Sequence, residues 1–443
     1  PFVLFLLFKK KLKIKRYLKS NYFICTSLIL LCTLNNIIIC NSSKSFREIY
    51  TKNNEIEHTF SKVGVLAGFN IDIYRTINPA KIEINTNDII EEEPEEIITT
   101  VKYNKLDLNM KSTSNSDHNA INNYVNRIDP TNQNEYTGMF KDYNLVYITA
   151  ESFSQIAISK ELTPTLYMLT NSGFIFDNYY TPNTLSTIGG EFASLTGLFP
   201  DNSILSKWRS GNNSFPYGMA NVFRKMGYNT YAFHDHYYNY QDRHKYLKSQ
   251  GFTNYLGCYN GLEKRMSCKE WPESDVSMIN ATYTDWIDSD KPFLAYYMTV
   301  SGHFEYTWGS DAQARKHRNE IGNLKGTESA KVYVAAQIEL DRALESLIYK
   351  LKDKGKLDKT VIVLLADHYP YALSNGDVNS LSTYQRDNTF EVNHNSLILW
   401  NSKMENTEIK KYCMSEDVLP TVYNLFGVEY DSRIMAGRDI LSD

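Results

Sequence analysis

Four short runs of continuous apolar residues mark the second part of the chain: Leu145-Val146-Tyr147-Ile148, Phe293 to Met298, Val361 to Leu365 and Leu397 to Trp400. A weaker run covers Asn229 to Phe233. Short runs without polar alternation are what the strands of a parallel sheet buried on both faces require. Helical patterns lie between them. The clearest is the stripe Leu340, Leu344, Leu347, Ile348 and Leu351, at helical spacing and ended by Gly355. Strands alternating with helices predict a doubly wound α/β domain over residues 141–443. In such a sheet, ligands bind at the carboxyl ends of the strands. Glu151, His234, His303 and the Asp367-His368 pair each fall at or just after a predicted strand end.

The chain ahead of this domain has a different pattern. Pro1 to Phe8 is apolar but too short to span a bilayer, and reads as the tail of a truncated membrane helix. Lys9, Lys10, Lys11, Lys13, Lys15, Arg16 and Lys19 follow. Tyr22 to Cys40 is then apolar, broken by Thr26, Ser27, Thr33, Asn35 and Asn36, and is long enough for a transmembrane helix. The basic cluster is expected to stay in the cytoplasm, which puts everything after Cys40 outside the cell. A cleaved signal peptide is the alternative, but the apolar run ahead of the basic cluster argues against it. Residues 1–41 are therefore expected to be a membrane anchor and residues 42–140 a polar extracytoplasmic linker. Within the linker, Val63 to Ile77 reads as an amphipathic helix at the membrane surface or a linker helix. Glu91 to Glu96 reads as solvated chain, and Ser112 to Asn134 is expected to hold little packed structure.

The net charge of -4 and the pI of about 6.2 leave no basic field for nucleic acid. Cys258 and Cys268 lie in a polar stretch on the expected outer side, where such thiols form a disulfide. The cysteine spacing does not suggest zinc. Cys413 is expected to be a small buried residue.

The candidate chemistry begins with Asp367-His368. At a strand end both side chains can reach one metal, and with Glu151 their oxygen and nitrogen donors suit manganese, zinc or magnesium. Thr187 opens the sequence Thr-Ile-Gly-Gly-Glu ahead of a helix. A threonine there is ordinarily an N-cap. The two glycines lower helix propensity, and are expected to let a bulky head group approach the backbone. A helix N-terminus favours an anion, and a metal at the hydroxyl would make Thr187 a nucleophile. Arg243 is a natural bidentate partner for phosphate. His234 and His303 complete the set, with a histidine as general acid for a leaving alkoxide. His236 and His244 read as surface or structural residues.

Together these motifs resemble the lipoteichoic acid synthase group of membrane phosphoglycerol transferases, within the sulfatase and alkaline-phosphatase-like superfamily. The resemblance covers about residues 136–443 and extends to Asp417-Val418-Leu419-Pro420-Thr421 and Met435 to Leu441. It implies one manganese ion, with magnesium or zinc as alternatives, held by Glu151, Thr187, Asp367 and His368. It implies that Thr187 becomes phosphoglycerylated and that His234, Arg243 and His303 contact the head group. It further implies a phosphatidylglycerol donor, a glycolipid or teichoic-acid-type acceptor and a bacterial cell-membrane location with the catalytic domain outside. The chain departs from the family's pattern in places. Gln241 stands where the family usually has Trp, with Tyr240 beside it as a substitute ring; Ile188 replaces a small polar residue after the nucleophile, and Gly189-Gly190 an Asp-Ala type pair. A sulfatase nucleophile would be Cys or Ser followed by Pro and Arg two and four residues on, so sulfate ester hydrolysis is disfavoured. A phosphoethanolamine transferase or head-group phosphodiesterase is an alternative. A non-catalytic head-group binder is another, against which the complete set of expected metal ligands argues.

Overall fold

The apolar runs form the centre of an eight-stranded sheet in the computed structural model, which describes residues 101–443 apart from 109, 183, 184 and 443. In chain order the strands are β1 (Asn144–Ala150), β2 (Phe174–Phe176), β3 (Tyr179–Tyr180), β4 (Asn229–Tyr237), β5 (Asn254–Cys258), β6 (Phe293–Met298), β7 (Thr360–Ala366), β8 (His394–Asn395), β9 (Ile398–Trp400), β10 (Thr407–Ile409) and β11 (Cys413–Met414). The main sheet has the order β10-β2-β9-β7-β1-β6-β4-β5, and β11-β3-β8 form a small second sheet. Every residue of β1, β6 and β7 is buried, which is why these strands read as unbroken apolar runs. β1 pairs in parallel with both β6 and β7, so Leu145 lies between Leu294 and Val361.

The sheet is covered on both faces. Alternate β1 residues serve opposite layers: Leu145 and Tyr147 belong to one core cluster, Val146 and Ile148 to the other. The first layer includes helices Ser186–Thr196 and Ser415–Leu425. The second is dominated by helix Glu328–Asp353, capped by the Thr327 side chain on Ala330 N. Its stripe Leu340, Leu344, Leu347 and Leu351 is buried as expected, and Gly355 follows it with φ +64°. Each such buried side chain stabilises the fold by roughly 1.5–3 kcal/mol relative to exposure.

Two expectations are corrected. The run Leu397 to Trp400 is not another parallel strand, because β9 pairs antiparallel with both β7 and β2. Burial on both faces makes a strand apolar whichever way it runs, so the pattern carries no direction. The stretch Ser112 to Asn134 is also more structured than its composition implies. Asn115 caps helix Ser116–Val125 by accepting from Asp117 N and His118 N. Thr131 N then donates to Ser432 Oγ, and Asn134 Nδ2 to Asp439. The expected anchor over residues 1–41 and the Val63–Ile77 segment lie outside the described residues. Among the described residues no helix is long and apolar enough to cross a membrane.

Cys258 and Cys268 form the expected disulfide. It closes a loop with a sequence separation of 10, and restricting the unfolded chain in this way stabilises by about 2–3 kcal/mol. Cys413 is free and buried, also as expected.

Candidate active site

The carboxyl edge of the parallel strands gathers residues far apart in sequence. β1 delivers Glu151, β7 delivers Asp367 and His368, and helix Ser186–Thr196 brings Thr187 in its first turn. One ligand atom each of Glu151, Asp367 and His368 lies within 4.8 Å of the others, and all three residues are buried. Thr187 Oγ1 is 3.3 Å from Glu151 Oε2 and 3.4 Å from His368 Nε2. His368 Nε2 is 3.2 Å from Asp367 Oδ2.

Two glycines set these spacings. A Cβ on Gly190 would lie 1.9 Å from the backbone oxygen of Asp367. A Cβ on Gly302 would lie 2.2 Å from the backbone oxygen of Glu151. Gly190 therefore lets the helix carrying Thr187 seat directly on the Asp367 backbone, which replaces the expectation that it makes room for a head group. Gly190→Ala is expected to destabilise the protein by about 3 kcal/mol or more, the upper end for overpacking, because the neighbour is rigid main chain. A melting curve of the variant measures it, and an unchanged melting temperature would refute the close seating.

The backbone around the site is strained. Ser152 follows Glu151 with φ +52°, Leu185 and Ser186 precede Thr187 with φ +64° and +60°, and Gln241 and Asp242 precede Arg243 with φ +51° and +61°. Such non-glycine positions cost about 1–3 kcal/mol each and concentrate at functional sites.

The hydrogen bonds fix the histidine tautomers. Nδ1 of His368 faces the Tyr369 carbonyl, that of His234 the Met298 carbonyl and that of His303 the Phe304 carbonyl. A carbonyl only accepts, so each Nδ1 donates and each Nε2 presents a lone pair when the ring is neutral. At His368 this aims a lone pair at Asp367 Oδ2, itself buried without a hydrogen-bond partner. Two acceptors facing each other, with a second carboxylate alongside, suit a divalent cation. Oxygen and nitrogen donors of this kind fit manganese, magnesium or zinc, and a main-chain partner on the far ring nitrogen is the usual support of a metal-binding histidine.

The same crowding shifts the carboxyls. Burial pushes Asp367 well above the usual carboxylate range, and the charge of Glu151 adds to this. Burial also works against ionisation of Glu151, but His303 and His368 outweigh it and its pKa is lowered. Burial thus disfavours the ionised Asp367, and a bound cation favours it. Metal affinity is expected to rise with pH, by up to about tenfold per pH unit below the raised Asp367 pKa. Manganese titrations at stepped pH check this, and a flat profile would mean that Asp367 is already ionised.

His234, Arg243 and His303 lie beside this cluster, but not all as expected. Arg243 is fully buried, and Nε and Nη2 bond to Glu191, with Nη2 2.9 Å from Oε2. The bidentate partner is therefore Glu191 and not a phosphate. Only Nη1 is left, buried and without a hydrogen-bond partner. Glu191 also accepts from Tyr246 and Tyr296, at 2.5 and 2.9 Å. His234 Nε2 is likewise buried and without a partner. Burial, and next the Arg243 charge, hold the His234 pKa well below its ordinary value. Asp275 sets the approach to His303: its Oδ1 accepts from Val300 N and Ser301 N at 3.0 and 3.2 Å.

The fold adds Glu191, Asp275, His236 and Trp271 to the surroundings of these residues. The His236 ring, expected in a surface or structural role, lies 5.9 Å from His234 and 4.8 Å from Trp271. Burial and then the Arg243 charge lower its pKa to about 4. Tyr240 reaches His236 at 5.0 Å, whereas Trp271 touches His236 and also His303, at 4.8 Å. The ring expected from Tyr240 therefore comes as much from a separate loop. His244 packs on Tyr238 in a structural role.

A covered sheet with an acid, a hydroxyl and an Asp-His pair at its carboxyl edge defines the alkaline-phosphatase-like α/β class. Residues 143–428 match the Sulfatase family, and the chain belongs to it. It is similar to the lipoteichoic acid synthase of Staphylococcus saprophyticus, 25% identical over 365 residues, covering 78% of this chain and 54% of that protein. It is also similar to lipoteichoic acid synthase 2 of Bacillus subtilis, 24% identical over 359 residues, covering 75% of this chain and 53% of that protein. The chain thus spans about half the length of these relatives. The crystal structure of the lipoteichoic acid synthase LtaP from Listeria monocytogenes shares the fold, with a TM-score of 0.61, 24% identity and coverage of 73% of this chain and 81% of that one. An alkaline phosphatase superfamily protein from Vibrio parahaemolyticus does so with a TM-score of 0.54, 20% identity and coverage of 73% and 77%.

Proposed function

We propose that this chain is a metal-dependent phosphoglycerol transferase, moving glycerol phosphate from phosphatidylglycerol to a cell-envelope polymer or glycolipid through a phosphothreonine at Thr187. The observation that carries the reading is the position of Thr187 Oγ1, 3.3 Å from Glu151 and 3.4 Å from His368 in the cluster that includes Asp367. The similar lipoteichoic acid synthases favour this donor and this class of acceptor. A divalent cation held by Glu151, Thr187, Asp367 and His368, manganese for preference, would neutralise the carboxylates and lower the pKa of the threonine hydroxyl.

The residues then divide the work. Thr187 Oγ loses its proton to solvent and bonds to phosphorus as the bond to the diacylglycerol oxygen breaks. His303 gives that oxygen a proton from Nε2. In the second step an acceptor hydroxyl returns a proton to His303 and bonds to phosphorus, and Thr187 Oγ leaves and is reprotonated. His234 Nε2 and Arg243 Nη1, the buried atoms without partners, face the head group and phosphoryl oxygens. Glu191 keeps Arg243 in place. The disulfide Cys258–Cys268 supports an extracytoplasmic domain, and the proposed anchor over residues 1–41 holds it at the bacterial membrane.

The test is to incubate the full chain and manganese with head-group-labelled phosphatidylglycerol. Diacylglycerol release with label on Thr187 is expected. Turnover of phosphatidylethanolamine in its place would favour the alternative head group, and release of free glycerol phosphate without an adduct would favour a phosphodiesterase.

A further inference from the structure

We propose that a strip of exposed aromatic rings leading away from His303 is the acceptor subsite, and that it binds a neutral sugar ring. The assignment takes the role of His303 from the function proposed above. Starting at His303, the rings run to Trp271 (4.8 Å), His236 (4.8 Å), Tyr237 (5.0 Å) and Tyr259 (4.8 Å), with Tyr240 flanking His236 at 5.0 Å. Tyr237, Tyr240, Tyr259 and Trp271 are 50%, 46%, 51% and 37% exposed. Single exposed rings need no explanation, whereas a contiguous patch beside a site marks binding.

The strip is held in place before any ligand arrives. Tyr259 follows one cysteine of the disulfide, and its hydroxyl donates to the carbonyl of the other, Cys268, at 3.0 Å. The Trp271 carbonyl accepts from Ala312 N at 2.9 Å. Such fixed rings lose little freedom on binding.

The chemistry of the strip selects its occupant. Its rings are those of Tyr, Trp and His. Flat faces with polar edges suit a pyranose, which has an apolar C–H face and hydroxyls at its rim. Charge argues against the other candidates. Between Tyr259 and Glu273 the acids Glu263 and Glu270, with Glu273 pushed up to about 7 by burial, leave at most one positive charge in excess from Lys264, Arg265 and Lys269, and Arg265 is engaged by Asp285 at 2.7 Å. A polyphosphodiester chain or an anionic lipid surface needs a cationic field, and this loop provides none. Because the strip ends on His303, a sugar stacked on Trp271 brings its hydroxyl to the residue that must take the proton.

The experiment titrates the full chain with a soluble neutral glucose disaccharide, followed by saturation-transfer NMR, and in parallel with glycerol phosphate. Trp271→Ala and the double variant Tyr237→Ala/Tyr259→Ala are each expected to weaken the disaccharide by about tenfold or more, the scale of a lost ring contact. Trp271→Phe, which keeps a ring, should retain most of the binding, and melting temperatures show that the variants fold. If the wild-type chain binds disaccharide but not glycerol phosphate, the head-group reading fails and the platform stands. Equal disaccharide binding in all variants overturns the proposal. So does a wild-type chain that ignores the disaccharide, or variants that lose only phosphatidylglycerol vesicles or short glycerol phosphate oligomers.

Discussion

Thr187→Ala is expected to abolish transfer, with a loss larger than the 10²–10⁴-fold typical of removing an acid or base. The hydroxyl is proposed to form the covalent bond that splits one hard step into two. Its immediate neighbours do not stand in for it: Ser186 Oγ lies 3.5 Å from the Tyr371 hydroxyl, and Ile188 is apolar. The variant should still bind glycerol phosphate, because His234 and Arg243 are untouched. His303→Ala should show the smaller loss of a general acid–base residue. Head-group release assays and intact-protein mass measurement decide between them. Near-normal turnover of phosphatidylglycerol by Thr187→Ala would end the covalent mechanism.

Asp367→Asn is expected to strip the metal while sparing the fold. Asp367 Oδ1 accepts from Ser152 N and His368 N, both at 2.8 Å, and an asparagine oxygen can keep both bonds. What the variant loses is the negative Oδ2 that faces His368 Nε2. Removing it should cost affinity beyond the roughly 10–100-fold attributed to outer partners of metal ligands. Elemental analysis with a melting curve reads both effects. Unchanged metal content would remove Asp367 from the ligand set, and a collapsed melting temperature would mean that the carboxylate holds the fold instead.

The layered domain was legible because its central strands are buried on both sides. β1, β6 and β7 could not be anything but unbroken apolar runs, and the polar residues at their ends stood out against them. The same property hid the direction of β9. Strands as short as β3, β8 and β11 leave no period to detect. The site was legible where one residue type implies its chemistry, as in Asp367-His368 after a strand. It was not legible where a role depends on a partner distant in sequence. Arg243 looked like a free phosphate ligand because nothing in sequence reveals that Glu191, inside the nucleophile's own helix, lies against it. Asp275 and Trp271 sit in stretches without motif, and only the fold brings them to His303. Ser112 to Asn134 misled because Asn and Ser, read as loop formers, serve here as a helix cap at Asn115 and a tether at Asn134.

Gly190 and Gly302 hold the candidate metal ligands to their neighbours by close approach to the main chain of Asp367 and Glu151, and this limits what conventional mutagenesis can see. An alanine scan deletes side chains, and the two contacts that set the spacing of nucleophile, ligands and His303 have none to delete. Such a scan would assign the geometry of the site wholly to its acids and histidines. The informative series runs the other way, adding single methyl groups and reading how far each one pries Thr187 from Asp367 or His303 from Glu151.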